Sequence, residues 1–441
     1  MAEIKPFKAI RYDEPVIGDL NKVTSPPYDI ISPEDRVYYH NLHPNNFVRL
    51  VLGEEFPTDT ESDNRFTRAK TYLNNWLATG ALKHDEQPAL YVYQQIFEQK
   101  TSPSPLLAGE GKGEVVRKTV RGFTCKVKLA DYSEKVILPH EWTLARPKSD
   151  LAVLIRQVQA NLDCIYGLYA DADRALDAIM DKAMAGMPIE QATDKNGVVN
   201  TIWAITDQAE IDKVTSFLAE KQIAIADGHH RYETALAYRD EMRDPLTGSG
   251  CSCGDCEFDY VLMTLVNIYE KDMTIYPTHR VLGNLDEGAL ASLDENLGGL
   301  FEVRASRKDA LIEDMAREGA IGMYHTGGAM ILKPTPGIEA LLPGAEPSRK
   351  LELNVLHKLI LEKHLGIDDE KLRNQAHIIY TRDVAEAMRL VDTGERQIAF
   401  FLNHIPVKAV LDVASAGEKM PQKATYFYPK LLSGLALRKL D

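Results

Sequence analysis

The run Asp227-Gly228-His229-His230-Arg231 follows directly on the apolar stretch Ile223-Ala224-Ile225-Ala226. Beyond it, Tyr232, Ala235, Leu236 and Met242 recur at helical spacing as far as Arg243. A strand thus hands a glycine turn to a helix N-terminus, where backbone N–H groups and the positive end of the helix dipole suit a phosphate. Gly228 lets the backbone approach a ligand closely. His229 and His230 add donors, and Arg231 can grip a phosphate through two N–H groups. Asp227 can cap the helix, hold a metal or hold a hydroxyl. The competing reading leaves Asp227 as an N-cap and the histidines as surface residues. So many chemically active side chains at one turn favour function.

Four further stretches carry candidate chemistry. In Leu138-Pro139-His140-Glu141-Trp142-Thr143, Glu141 could be a general base or a magnesium ligand and His140 could contact phosphate. Residue 144 is leucine, so this is not the His-Glu-x-x-His zinc pattern; a charged loop capped by Thr143 is the competing reading. Val23-Thr24-Ser25-Pro26-Pro27-Tyr28-Asp29 is a proline-stiffened turn that could present Ser25, Tyr28 and Asp29 to a substrate, joined by Asn46 and Arg49, or could serve structure alone. Pro277-Thr278-His279-Arg280 ends an apolar strand and offers Arg280 to a phosphate. The segment Met420 to Lys430 holds Lys423, Lys430 and three aromatic residues, as a substrate lid or as a tail packed on the body.

Cys251, Cys253 and Cys256 put three thiols within a short loop. They could bind zinc, with Asp255, Asp259 or a remote histidine as fourth ligand. No second cysteine pair completes the usual set, so a variable loop is the competing reading. His357 lies among leucines at helical spacing and reads as a packing residue.

The elements that must position these residues read as mixed α/β, or α+β. Tyr91 to Phe97 and Thr119 to Leu129 are strand-like, rich in Tyr, Val, Phe and Thr. The Ser-Pro- and Gly-rich residues between them mark an exposed hairpin insertion over 99–118. Helices are expected over 64–78, 151–159, 173–185, 207–220 and 353–364, and strands over 199–205, 222–226 and 261–269. From about residue 353 onward helix and strand alternate. Three regions are expected: an N-terminal α/β region 1–135 with the insertion, a central core 136–285 and a C-terminal α/β region 286–441.

A chain of 441 residues can bury a large core. Its net charge of -14 argues against a duplex-DNA partner, yet a local pocket can still be basic. No apolar run approaches the roughly 18 residues of a membrane span, and the first residues show no secretory pattern. Five cysteines, an odd number, fit a reducing compartment better than a disulfide framework. The expectation is a cytoplasmic protein without nucleic-acid or membrane partners, with a homodimer as an option.

Taken together, SPPYD at 25–29, HExT at 140–143, ADGHHRYETAL at 226–236, PTHR at 277–280 and MPQKxTYFYPKLLSG at 420–434 resemble the bacterial and archaeal domain-of-unknown-function family 1015. Ala424 stands where members usually have serine. The glycine-rich insertion near 109 and the cysteine loop are peculiar to this chain's branch. Over about twenty residues, the Asp-Gly-His-His-Arg turn is also similar to the phosphate-binding motif of the ParB/sulfiredoxin superfamily, which includes nucleotide-dependent free serine kinases. That resemblance implies a ParB/sulfiredoxin-like core in which Gly228, His229, His230 and Arg231 hold nucleotide phosphates. It implies that Asp227 and Glu141 handle magnesium or the acceptor hydroxyl. Sulfiredoxin chemistry needs a cysteine in this turn and partition proteins need a basic DNA-binding module; the chain shows neither.

The expectation is therefore a magnesium-dependent phosphotransferase with ATP or ADP as donor. Its acceptor is a small hydroxylated metabolite, serine or phosphoserine first, because genes of the family often lie beside those of phosphorylated serine biosynthesis. Glu141, Asp227 and His230 are the catalytic candidates. The alternatives are a non-catalytic nucleotide sensor, and a phosphoserine phosphatase or other metal-dependent hydrolase.

Overall fold

A computed structural model of the chain describes residues 2–101, 114–142, 145–246, 248, 250–251, 253–374 and 376–440. Its largest element is a nine-stranded mixed sheet. Across the sheet the strands run Ile137–Leu138, Ile223–Asp227, Ile165–Tyr169, Tyr260–Asn267, Glu114–Lys128, Leu90–Thr101, Val199–Ile205 and Glu190–Thr193; Ile4–Lys5 also pairs with Glu114–Lys128. The central strand Tyr260–Asn267 is buried along its whole length, as its mostly apolar sequence requires, and its one internal polar side chain, Thr264, is paired with Thr124 at 2.8 Å. Its alternate residues Val261, Met263 and Leu265 share a core with Ile211, Val214 and Leu218 of the helix Gln208–Ala219, and with Tyr232 and Ala235 of the helix His229–Arg243.

The strand Ile223–Asp227 shows why this sheet can carry a site. Ile223 and Ile225 face that same helical core. Ala224 and Ala226 face the other way, against Met420, Ala424 and Phe427. Two small side chains on that face let the C-terminal segment lie close to the strand end. The segment is tied down repeatedly. Tyr426–Tyr428 pairs antiparallel with Thr274–Tyr276, Ser433 bridges Ser25, and Arg438–Lys439 pairs with Ala160–Asn161.

A second, six-stranded antiparallel sheet follows in the order Phe301–Ser306, Gly328–Pro334, Ile321–His325, Ile398–Phe401, His279–Leu282 and Ile378–Thr381. The helices Leu311–Glu318 and Val384–Asp392 pack on one of its faces.

The mixed α/β class read from the sequence is what the chain forms. The two expected long strands form a hairpin that reaches Thr101 opposite Glu114; the proline- and glycine-rich residues 102–113 of the expected insertion lie outside the described residues, as does Thr143. The segment expected as one helix over 353–364 is instead a short α-helical turn, Glu352–Val355, continued by a π-helical stretch, Leu356–Glu362. Among the described residues, no helix is long and apolar enough to cross a membrane.

Candidate functional site

The end of the strand Ile223–Asp227 opens into a cleft of about 360 Å³. At its floor Gly228 adopts φ 96° and ψ 25°, in the left-handed region, and caps the 15-residue helix His229–Arg243. A side chain there would be strained by the backbone angle. Its Cβ would also stand 3.0 Å from Nε and Nη2 of Arg231, a tight contact that the guanidinium would have to relieve by shifting. The first bond of the helix is donated by the N–H of Tyr232 to the Gly228 carbonyl, at 3.0 Å. The amides of His229, His230 and Arg231 precede it, at the positive end of the dipole.

Asp227 ends the strand with both carboxylate oxygens engaged. Oδ1 accepts from Lys430 Nζ at 2.6 Å and Oδ2 from Arg231 Nη2 at 3.0 Å. Burial alone would push this carboxyl up, but the two cations overcome it and hold it at about 2. Arg231 is fixed further by donating from Nη1 to the Cys164 carbonyl at 2.5 Å. Half-buried Asp163, whose carboxyl is pushed up by desolvation, faces the same guanidinium.

Glu141 forms part of the wall. Its Oε1 accepts the backbone N–H of Lys423 at 3.0 Å, and its chain bridges Met420 in parallel register. Burial is the main influence on its carboxyl and raises it to about 7, against the pull of Lys423. A carboxyl poised there can take a proton from a hydroxyl near neutral pH and give it back. Tyr28 and Asp29, Arg382 beside Tyr380, and Lys423, Tyr426 and Lys430 complete the lining. The cleft thus holds four cations (Arg231, Arg382, Lys423, Lys430) against three carboxylates (Asp29, Glu141, Asp227), in a chain of net charge -14. Such a local excess attracts an anion.

Other expected site residues stand behind the wall. His140 is fully buried; its Nδ1 pairs with the Ile225 carbonyl at 2.6 Å and its Nε2 with Thr425 Oγ1 at 2.9 Å. His229 is largely buried beside it but reaches the cleft lining, and it accepts the His140 N–H on Nε2 at 3.3 Å. Desolvation lowers the pKa of both imidazoles, that of His140 to about 4, which favours the neutral rings near pH 7. Arg280 is fully buried, donating to His357 Nε2 at 3.3 Å, to the Thr278 carbonyl and to the Lys423 carbonyl at 3.3 Å. It braces the segment bearing Lys423 and does not line the cleft. Ser25 is buried and donates to the Pro26 carbonyl at 3.1 Å, while Asn46 donates to the carbonyls of Lys22 and Thr24; both build the turn that presents Tyr28 and Asp29. His230 and Lys423 line the cleft.

The sequence reading passed over Arg382 and Asp163, and it treated Lys430 only as part of a basic aromatic tail. Lys430 sits within a motif that could have flagged it. Arg382 merely follows the strand Ile378–Thr381, and only the placement of the second sheet brings it to the cleft, 3.6 Å from the ring centre of Tyr426. Cys251, Cys253 and Cys256 come together as a group but lie beyond the other end of the helix His229–Arg243 and take no part in the cleft.

A family model described as protein of unknown function (DUF1015) matches residues 4–355. No curated protein matches the chain. Among solved structures, a conserved hypothetical protein from Pyrococcus furiosus is similar with a TM-score of 0.36 and 13% identity, over 69% of this chain and 92% of the other. A free serine kinase in complex with AMP is similar at 0.35 and 12%, over 66% and 83%. SbnI from Staphylococcus aureus, truncated at its C-terminus, is similar at 0.36 and 12%, over 70% and 86%. Likeness at this level does not carry those proteins' chemistry to this chain.

Proposed function

The chain belongs to the DUF1015 family, and from its site we propose a magnesium- and nucleotide-dependent phosphotransferase acting on a small hydroxylated metabolite, with serine as the first acceptor to assay. One observation carries the reading. A glycine turn at a helix N-terminus, an excess of cations and a carboxyl raised to about 7 face a single cleft. Phosphoryl transfer asks little covalent chemistry of a protein; it needs positioned phosphates, neutralised charge and a group that manages the acceptor proton. The turn at Gly228 with Arg231, and the cations Lys423 and Arg382, supply the first two. Glu141 supplies the third, with Asp227 and His230 beside it.

Magnesium is bound by oxygen donors, characteristically one or two carboxylates completed by substrate phosphates and water. Glu141 lines the cleft and fits that donor set; Asp227, whose two oxygens hold Lys430 and Arg231, would have to give up one of those partners to join it. When bound, the ion would neutralise charge on the phosphates. A hydrolase built around the histidines finds less support, because His140 commits both ring nitrogens within the protein and His229 one.

A thermal-shift panel of ATP, ADP, CTP, serine and phosphoserine, each with and without magnesium, tests the reading. A ligand at about a hundred times its Kd adds roughly 2.7 kcal/mol. A shift with one nucleotide that is lost in Arg231→Ala supports it, and no shift with any nucleotide removes it. Binding without turnover on any hydroxylated acceptor would leave a nucleotide-binding regulatory protein.

A further inference from the structure

The loop between the helix His229–Arg243 and the strand Tyr260–Asn267 gathers three thiols that the cleft does not use. The sulfurs of Cys251, Cys253 and Cys256 all lie within 4.8 Å of one another. Cys253 Sγ is 3.3 Å from that of Cys251 and 3.2 Å from that of Cys256. Thiolates at about 2.3 Å from a tetrahedral zinc stand about 3.8 Å apart, so the ion enters once the Cys251–Cys256 pair is reduced and the three sulfurs spread.

The backbone around the sulfurs is arranged as a thiolate cradle. Gly254 turns at φ 76°, and the N–H of Asp255 then donates to Cys253 Sγ at 3.5 Å. The N–H of Asp259 donates to the sulfur of Cys256. Both bonds favour sulfur in its charged form, which is the metal-binding form.

Cys251 and Cys256 also stand at disulfide distance from each other. That pairing accounts for two sulfurs and leaves Cys253 equally close to both. The Cα atoms of Cys251 and Cys256 are 7.3 Å apart, beyond the usual span of about 4.4–6.8 Å for a bridge. A single ion engages all three sulfurs without that constraint.

We propose that the reduced chain binds one zinc ion through Cys251, Cys253 and Cys256, with solvent in the fourth position. The carboxylates first considered as a fourth ligand are otherwise engaged. Asp255 accepts from Lys5 and from Tyr260 Oη, the latter at 2.7 Å; Asp259 pairs with Arg243 at 2.6 Å and accepts the Cys256 N–H at 2.9 Å. The site lies away from the cleft, at the other end of the helix His229–Arg243, and the ion would tie down the loop that carries it. Cys251 and Cys256 pack against the small core of Ile155, Tyr238, Phe258 and Leu440, and the N–H of Gly250 donates to the Met242 carbonyl at 3.2 Å. Zinc there anchors the far end of the helix whose first residues form the phosphate turn.

The test is metal content and cobalt titration of the full chain under reducing conditions. About one zinc per chain is expected, together with thiolate-to-cobalt charge-transfer absorption of a three-sulfur site. Cys253→Ser, at an exposed position that leaves the packed sulfurs in place, should lose most of the bound zinc and weaken the cobalt band. Zinc should also protect Cys251, Cys253 and Cys256 of the native protein from alkylation. Reduced wild-type protein that takes up neither metal would overturn the proposal, as would thiols that alkylate at the same rate with and without zinc.

Discussion

Asp227 Oδ1 lies 2.6 Å from Lys430 Nζ, a salt bridge between residues 203 positions apart that fastens the C-terminal segment to the glycine turn before the helix His229–Arg243. Around it the same segment places Thr425 against His140, Lys423 against Glu141 and Ser433 against Ser25. The C-terminal segment is therefore part of the site.

Removing one member of this pair strands the others. Asp227→Asn leaves Lys430 and Arg231 buried without their shared carboxylate, and breaking a buried pair costs about 3–5 kcal/mol. Urea unfolding of Asp227→Asn should show that loss, and the double variant with Lys430→Met should lose less than the sum of the two single changes. The carboxyl is held at about 2, below its unfolded value, so its stabilisation is complete above the unfolded value. It should fade as pH falls from about 4 towards 2.

Glu141 behaves in the opposite sense. Burial raises its carboxyl to about 7, so the folded state favours the protonated form. The stabilisation this gives is present below the unfolded value and is lost as pH rises through 7. Glu141→Gln should therefore stabilise the ligand-free protein more at pH 8 than at pH 5, by on the order of 3 kcal/mol at most. The same raised value predicts turnover that rises with pH to a plateau above about 7. Glu141→Gln should cut turnover by about 10²–10⁴ while leaving nucleotide affinity within a few-fold. Unchanged turnover in that variant would remove Glu141 as the base.

Arg382 is an exposed guanidinium stacked on Tyr426 at the cleft edge, and it bears no structural load comparable to that of Arg231. Arg382→Ala should leave the ligand-free melting temperature within about a degree or two of wild type. It should weaken a phosphate-bearing ligand by roughly tenfold or more, the worth of a charged hydrogen bond. Calorimetric titration of both proteins with the same nucleotide checks this. Equal affinities would place the phosphates elsewhere in the cleft.

Gly228→Ala tests the turn itself. The left-handed backbone costs a non-glycine residue about 1–2 kcal/mol, and the added Cβ presses on Arg231. Chemical denaturation should show that loss, and ligand affinity should fall with it because the guanidinium is displaced. A fully stable variant with unchanged affinity would mean that the turn tolerates a side chain and that close backbone approach is not needed.

The turn from Asp227 to Arg231 was legible because three local signals agree on it: an apolar strand, a glycine and a helix with periodic apolar residues. The strand Val199–Ile205 was legible for the same reason, its bounds falling as read. The strand Phe301–Ser306 was not, because only Phe301 is buried and Glu302 to Ala305 are exposed at a sheet edge, Val303 among them. The irregular turn at Leu356 was hidden because apolar spacing does not separate an α-helix from a locally widened one. Arg280 and His140 carried chemically active side chains, yet burial gives them bracing roles. Sequence shows which groups are present, and only the packing decides which of them face the cleft.

The most direct test is phosphorus NMR of the full chain with magnesium, ATP or ADP, and serine. The proposed function predicts a growing phosphomonoester resonance at the expense of the nucleotide's terminal phosphate, absent in Glu141→Gln although that variant still broadens the nucleotide signals. A spectrum in which the wild-type protein neither broadens the nucleotide phosphates nor forms any phosphomonoester would contradict it.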